Sequence, residues 1–213
     1  MGLFITFEGI EGCGKTTQLR RLATVLRDAA RPVLVTREPG GCPIADAIRA
    51  ILLDRTNQLM APRTELLLYA AARAQHVEEI IVPALAEGQI VLCDRFSDAT
   101  VAYQGYGRGL APELIVDLNA FAAGSLVPDL TVLLDFPPEI GLDRARRRNS
   151  GSSGPDESRF EEESLEFHRR VRDGYLALAK KHQRFRVVDA QGSEDQVAAR
   201  IRTVVAPLLG GGI

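Results

Sequence analysis

Five short apolar runs punctuate the chain, at 3–7, 32–36, 90–93, 130–134 and 185–188, each hydrophobic at nearly every position. Continuous rather than alternating hydrophobicity marks strands covered on both faces. The stretches between them are long enough for crossover helices. The alternation therefore predicts an α/β fold, a five-stranded parallel sheet with helices on both faces. Pro62 and Pro112 stand where first helical positions fall, since proline fixes φ and needs no donor there. Ser193-Glu194-Asp195-Gln196 has capping-box spacing ahead of a last helix. Pro83 lies late in the Ala-rich helix that begins near Pro62, and either kinks it or ends it. At 149–155 the composition breaks to Asn-Ser-Gly-Ser-Ser-Gly-Pro. Too little chain follows for a second domain, so this reads as a mobile surface loop and 1–213 as one domain.

The first strand runs into chemistry. Gly9-Ile10-Glu11-Gly12-Cys13-Gly14-Lys15-Thr16 satisfies G-x-x-x-x-G-K-[ST] between a predicted strand and a predicted helix, with Thr17 in the first turn. Glycines let backbone N–H groups converge on phosphate oxygens, and the helix start adds unpaired donors and the positive end of its dipole. Lys15 supplies a charge to the β- and γ-phosphates of ATP, and the Thr16 hydroxyl a ligand for Mg²⁺. A P-loop names a superfamily and no reaction. The chain has no N-K-x-D guanine signature, which counts against a GTPase. Glu11 places an acid beside the phosphates, where it either serves an acceptor hydroxyl or simply faces solvent.

Asp94-Arg95 follows the third apolar run, at the position of a Walker-B acid that orients Mg²⁺ or its waters. Arg95 falls at the carboxyl edge of the sheet, where open α/β sheets bind ligands and a guanidinium can clamp a second phosphate. Asp135 after the fourth run is a competing Walker-B candidate, and Asp94 is preferred for its neighbour. Arg144-Ala145-Arg146-Arg147-Arg148 puts Arg144 and Arg148 four apart on one helix face. This cluster reads first as a lid over a triphosphate, ahead of a solvated charge patch or a nucleic-acid site. Lys15, Arg95, Arg144, Arg148 and Glu11 are thus the expected catalytic set.

A net charge of −2 removes any global attraction to nucleic acid or acidic membranes, so bound anions depend on local groups. Cys13, Cys42 and Cys93 are scattered, as free thiols in a reducing cytoplasm are. No run approaches the ~20 apolar residues that span a bilayer. The loose myristoylation pattern at the start coincides with a core strand, and no membrane partner is expected.

Several further runs are shared with one family. Phe7-Glu8-Gly9-Ile10-Glu11-Gly12, Thr36-Arg37-Glu38-Pro39-Gly40-Gly41, Tyr69-Ala70-Ala71-Ala72-Arg73, Asp94-Arg95-Phe96 and Ala102-Tyr103-Gln104-Gly105 occur in that order. In these the chain resembles the bacterial thymidylate kinases along nearly its whole length. The resemblance implies a P-loop NTPase fold with a short mobile lid near 144–160, ATP and dTMP as substrates, Mg²⁺, and a homodimer. It also implies roles for single residues. Glu11 matches the acid on the acceptor 3′-hydroxyl. Tyr69 matches the aromatic that stacks on thymine, and Arg73 the arginine that hydrogen-bonds the base. Thr100 and Gln104 match further acceptor contacts, and Tyr103 the residue that crowds the 2′ position. Arg37, Arg49 and Arg95 match arginines around the acceptor phosphate. The arginine cluster looks like the lid of the subtype that lacks an arginine in its P-loop. Cys42 replaces a frequent Thr, and Ser158-Arg159-Phe160-Glu161 stands where the family has D-R-x-E. Which lid arginine reaches the phosphoryl group stays open.

Overall fold

A computed structural model describes residues 2–150 and 159–210, apart from the side chains of 148–150. Its elements run β1 (Leu3–Glu8), α1 (Lys15–Asp28), β2 (Val33–Arg37), α2 (Pro43–Leu53), α3 (Pro62–His76), α4 (Val82–Ala86), β3 (Ile90–Asp94) and α5 (Ser97–Thr100). There follow α6 (Pro112–Ala123), β4 (Leu130–Asp135), α7 (Pro138–Ser150), α8 (Leu165–Lys181), β5 (Phe185–Asp189) and α9 (Glu194–Val205). The five strands pair in parallel in the order β2-β3-β1-β4-β5. This is the P-loop NTPase fold.

All five expected strands form, and each runs one residue further, onto Glu8, Arg37, Asp94, Asp135 or Asp189. Ladder hydrogen bonds need only backbone, so pairing outlasts the apolar run by one step. The consequence is a row of charged side chains along one edge of the sheet. Successive side chains alternate between faces. Phe4, Val91 and Cys93 join Val77, Ile81, Ala84 and Ala123 in one buried cluster. Ile5, Phe7 and Leu92 share another with Leu19, Leu22 and Leu26 of α1 and Val197 and Ile201 of α9. Burial is complete in β3 up to its last residue, whereas the edge strand β5 leaves Val187 half exposed.

Pro62 and Pro112 occupy first helical turns as expected. Helical winding also continues past Pro83, reaching Ala86. A wider π turn, Val77–Ile81, immediately precedes it. Such a turn shifts the carbonyl that the proline ring otherwise strikes, so the segment neither stops nor stays regular. A second π stretch, Val101–Gly107, follows α5 and carries Tyr103 and Gln104. The expected loop at 149–155 begins within α7 and for the rest lies outside the described residues.

Two glycines let the P-loop meet α7. A Cβ on Gly12, whose φ is +66°, meets the Gly141 carbonyl, and one on Gly141 meets the Glu11 carbonyl. The helix that carries the arginine cluster is therefore packed backbone to backbone against the phosphate loop.

The capping box is present in full. Gln196 N donates to Ser193 Oγ at 3.3 Å, and Ser193 N to Gln196 Oε1 at 2.9 Å. Ser193→Ala should lower stability by about 1 kcal/mol. In urea titrations the midpoint should fall with the slope unchanged; an unchanged midpoint removes the cap's contribution.

Candidate active site

The P-loop turns on Gly14, which has φ +90° and precedes Lys15 at the start of α1. Lys15 is buried, and its Nζ donates to the carbonyls of Gly9 at 3.0 Å and Ile10 at 2.7 Å. Thr16 Oγ1 donates to Asp94 Oδ2 at 2.5 Å. Asp135, the rival acid, is taken by Arg172 through two hydrogen bonds of 2.6 and 2.9 Å. Asp94 is therefore the strand-end acid beside the loop. One hydroxyl and one carboxylate, both oxygen donors next to a phosphate cradle, fit Mg²⁺, which is held by few protein ligands plus phosphates. Among the described residues no cluster of three or more His, Cys, Asp or Glu side chains forms a self-sufficient metal cage.

Arg95 has a positive φ of 71°, uncommon for a side chain of its size. That turn sends the guanidinium back over the P-loop. Nη1 donates to Gly9 O at 2.9 Å and to Tyr175 Oη at 3.0 Å. Nη2 donates to Glu11 Oε1 and to Tyr103 Oη, both at 2.9 Å. Tyr103 Oη in turn donates to Glu11 Oε1 at 2.6 Å. Glu11 thus does not face open solvent. Its burial alone raises the carboxyl, but His168, Arg95 and Lys15 outweigh that and hold it well below the usual carboxylate range. Burial pushes the phenols of Tyr103 and Tyr175 up, which keeps both neutral and able to donate.

Arg73 is 1% exposed, and each of its three guanidinium nitrogens has a partner. Nε donates to Glu38 at 2.8 Å, Nη1 to Asn119 at 2.7 Å and Nη2 to Thr100 at 3.0 Å. The other Glu38 oxygen lies 3.1 Å from His76, whose far nitrogen meets Thr36 at 2.6 Å. Gln104 donates to Glu65 at 2.8 Å. Glu65 also holds Arg108 at 3.1 Å and Arg159 at 2.7 Å. Burial raises Glu65, yet Arg108, Gln104 and Arg159 together leave it below its ordinary range. Thr100 accepts from Arg73, whereas Gln104, within the π stretch, donates to the Glu65 carboxylate.

Arg37 donates to Asp46 at 3.1 Å and Arg49 to the Pro39 carbonyl at 3.0 Å. Tyr69 packs on Phe160 with ring centroids 6.5 Å apart, and Tyr103 on Phe160 at 5.5 Å. All of these converge. One cleft of about 1400 Å³ is lined by Glu11, Lys15, Thr16, Thr17, Arg37, Arg49, Tyr69, Arg73, Asp94, Arg95, Thr100, Tyr103 and Gln104. Of the arginine cluster, Arg146 lines it, and its guanidinium donates twice to the Glu161 carbonyl. Arg144 is exposed and lies over the Phe136 ring at 4.5 Å, away from the cleft lining. The Arg148 side chain lies outside the described residues.

Sequence reasoning passed over Glu8, Glu38, Glu65, Asn119, His168 and Tyr175, the side chains that hold the cleft residues in place. Only Glu8 and Glu38 stood inside quoted motifs.

Comparison with known proteins identifies the family. The thymidylate kinase family profile matches residues 7–201. The thymidylate kinase of Geotalea uraniireducens is 61% identical over 213 residues, covering 99% of this chain and 100% of that protein. That of Geobacter sulfurreducens is 60% identical, covering 96% and 97%. This chain belongs to the thymidylate kinase family. A crystal structure of thymidylate kinase from Ehrlichia chaffeensis superimposes with a TM-score of 0.78 at 34% identity, covering 96% of this chain and 98% of that one. In this chain the P-loop stands at the carboxyl edge of the five-stranded parallel sheet.

Behind Arg95 sits Glu8, fully buried, accepting from Phe96 N and Tyr175 Oη at 2.8 Å each. Burial and the nearby Asp98 raise its carboxyl to about 8. Between about 4.5 and 8 the folded protein keeps a proton that the unfolded chain releases, so stability falls as pH rises through that window. Urea unfolding at pH 5, 6.5 and 8.5 should register that loss, on the order of a few kcal/mol. Glu8→Gln should flatten the profile; parallel profiles for the two proteins refute the assignment.

Proposed function

We propose that this chain transfers the γ-phosphoryl group of MgATP to dTMP, giving dTDP and ADP. The observation that carries this reading is the single cleft. A phosphate-binding half built on the P-loop is continuous with a wall of aromatic, arginine and amide side chains, and Glu11 and Arg95 stand between. Its volume exceeds the ~300–1,000 Å³ usual for one small ligand, which suits two nucleotides end to end.

The acceptor phosphate is dianionic near neutral pH, since its second pKa is about 6. No general base is required. An acceptor oxygen forms a bond to the γ-phosphorus as the bond to the bridging β-oxygen breaks, and ADP leaves. Catalysis is then positioning and charge stabilisation. Backbone N–H groups of Gly12 to Thr16 cradle the donor phosphates, with Lys15 turning from the loop carbonyls onto them. Thr16 and Asp94 hold the metal ion, which when bound neutralises charge on the β- and γ-phosphates. Arg95, with Arg37 and Arg49, receives the acceptor phosphate. Arg73 and Gln104 read the base edge while Tyr69 covers its face. Tyr103 crowds the 2′ position. From the lid, Arg146, Arg144 and Arg148 are the candidates for the transferring group, and Arg146 has the support of lining the cleft. Such an arginine is worth about 10³–10⁵ in rate in other P-loop enzymes.

The chain acts as a homodimer on small nucleotides, without nucleic acid. Leu67 of α3 and Val116 and Phe121 of α6 are exposed apolar residues on two helices that pack together, and a second copy would cover them.

ADP release should be measured with MgATP and, separately, dTMP, dUMP, dCMP, dGMP and AMP. Strong turnover with dTMP and weaker turnover with dUMP is expected; another winner overturns the acceptor assignment. Arg95→Ala should raise the KM for dTMP by about tenfold or more, the loss of a charged hydrogen bond, with ATP affinity near normal. Collapse of ATP affinity instead would remove Arg95 from the acceptor side.

A further inference from the structure

His168 belongs to none of the motifs above. It lies in α8, is completely buried, and touches two functional segments at once. Its Nε2 is 3.0 Å from the carbonyl oxygen of Phe160. A carbonyl only accepts, so Nε2 carries a proton. Nδ1 then faces Glu11 Oε2 at 3.1 Å. The approach is off the line of an ideal hydrogen bond, and neither atom has any other hydrogen-bond partner in the protein.

Two bare acceptors pressed together in a buried setting repel, because no water screens them. One proton must sit on the pair. Glu11 is the poorer place for it. Its other oxygen already receives Arg95 Nη2 and the Tyr103 hydroxyl, the partners of an ionised carboxylate. Arg95 and Lys15 are the cations near it, and Tyr103 is the neighbouring neutral phenol; all three favour the carboxylate form or leave it untouched.

We propose that His168 is a positioning residue that, as an imidazolium, clamps the P-loop carboxylate of Glu11 to the backbone of Phe160. Glu11 is thereby pinned through both oxygens, and Arg95, hydrogen-bonded to it, is aimed at the acceptor side of the cleft. Phe160 is held in register over Tyr69 and Tyr103 by the same ring. One buried side chain thus ties the phosphate loop to the segment that leads into α8.

The test is ¹⁵N NMR of the full-length protein labelled at histidine. The chain has only three histidines, His76, His168 and His182, so His168→Gln assigns the signal by its disappearance. Near pH 7.5 both ring nitrogens of His168 should show protonated-type shifts. In Glu11→Gln, which removes the carboxylate, the ring should revert to the neutral tautomer protonated at Nε2. A bare Nδ1 in the wild-type protein overturns the proposal. A second arm rests on the kinase reading. His168→Gln should raise the KM for dTMP about tenfold, as expected for a charged contact, while the KM for ATP changes less than about twofold. Equal losses for both substrates, or none, overturn the positioning role. Wild-type protein that fails to phosphorylate dTMP sinks the kinase reading alone, since the NMR outcome does not depend on it.

Discussion

The partly buried ion pair between Arg95 and Glu11 is the contact on which the cleft depends. Two charges taken out of water are costly unless their remaining hydrogen-bonding capacity is met. Here Gly9, Tyr103 and Tyr175 supply partners to the guanidinium, and Tyr103 to the carboxylate. The pair joins the loop after β1 to the loop after β3, which are neighbours only because β1 and β3 pair in parallel. A left-handed residue at 95 turns the guanidinium back across that seam. Backbone strain of this kind persists where the surroundings over-determine it, and four hydrogen bonds on one guanidinium do so.

The same device recurs beside the cleft. Glu38 holds Arg73, and Glu65 holds Arg108 and Arg159. Arg73, which lines the cleft, is thus a long side chain whose freedom has been removed before a ligand arrives, which lowers the entropy lost on binding. Pairing also reconciles a net charge of −2 with a site for two nucleotides. The positive field is local, made of guanidinium groups whose carboxylates sit behind them.

The 159–163 segment and α7 both meet the body of the domain in this arrangement. Phe160 closes against Tyr69 and Tyr103, Glu161 accepts Arg146, Glu162 pairs with Arg55, and Glu163 with Arg108. On the other side, Gly12 and Gly141 bring α7 onto the phosphate loop. The arginine-bearing helix thus touches the P-loop through backbone contact, and the 159–163 segment meets the cleft wall through side chains.

The strands, the proline helix starts, the capping box and the P-loop could be read from the chain, because each depends on residues close together in sequence. Apolar runs, a glycine at a forced φ and a Ser-x-x-Gln spacing carry their physics locally. So do Asp94 and Arg95 as candidates, since the end of a buried strand fixes where the next residues stand. The choice between Asp94 and Asp135 was not local, because Arg172, far along the chain, removes Asp135. Nor were the roles of Glu38, Glu65, Tyr175 and His168, which resemble ordinary loop and helix residues until strand order sets them beside their partners. Arg144 and Arg146 are two residues apart in one helix, and only packing against Phe136 and Glu161 decides which faces the cleft. Sequence determined the elements and the residue types able to do phosphoryl chemistry. Tertiary structure decided which buried charge neutralises which, because that depends on distances between residues that the chain itself leaves far apart.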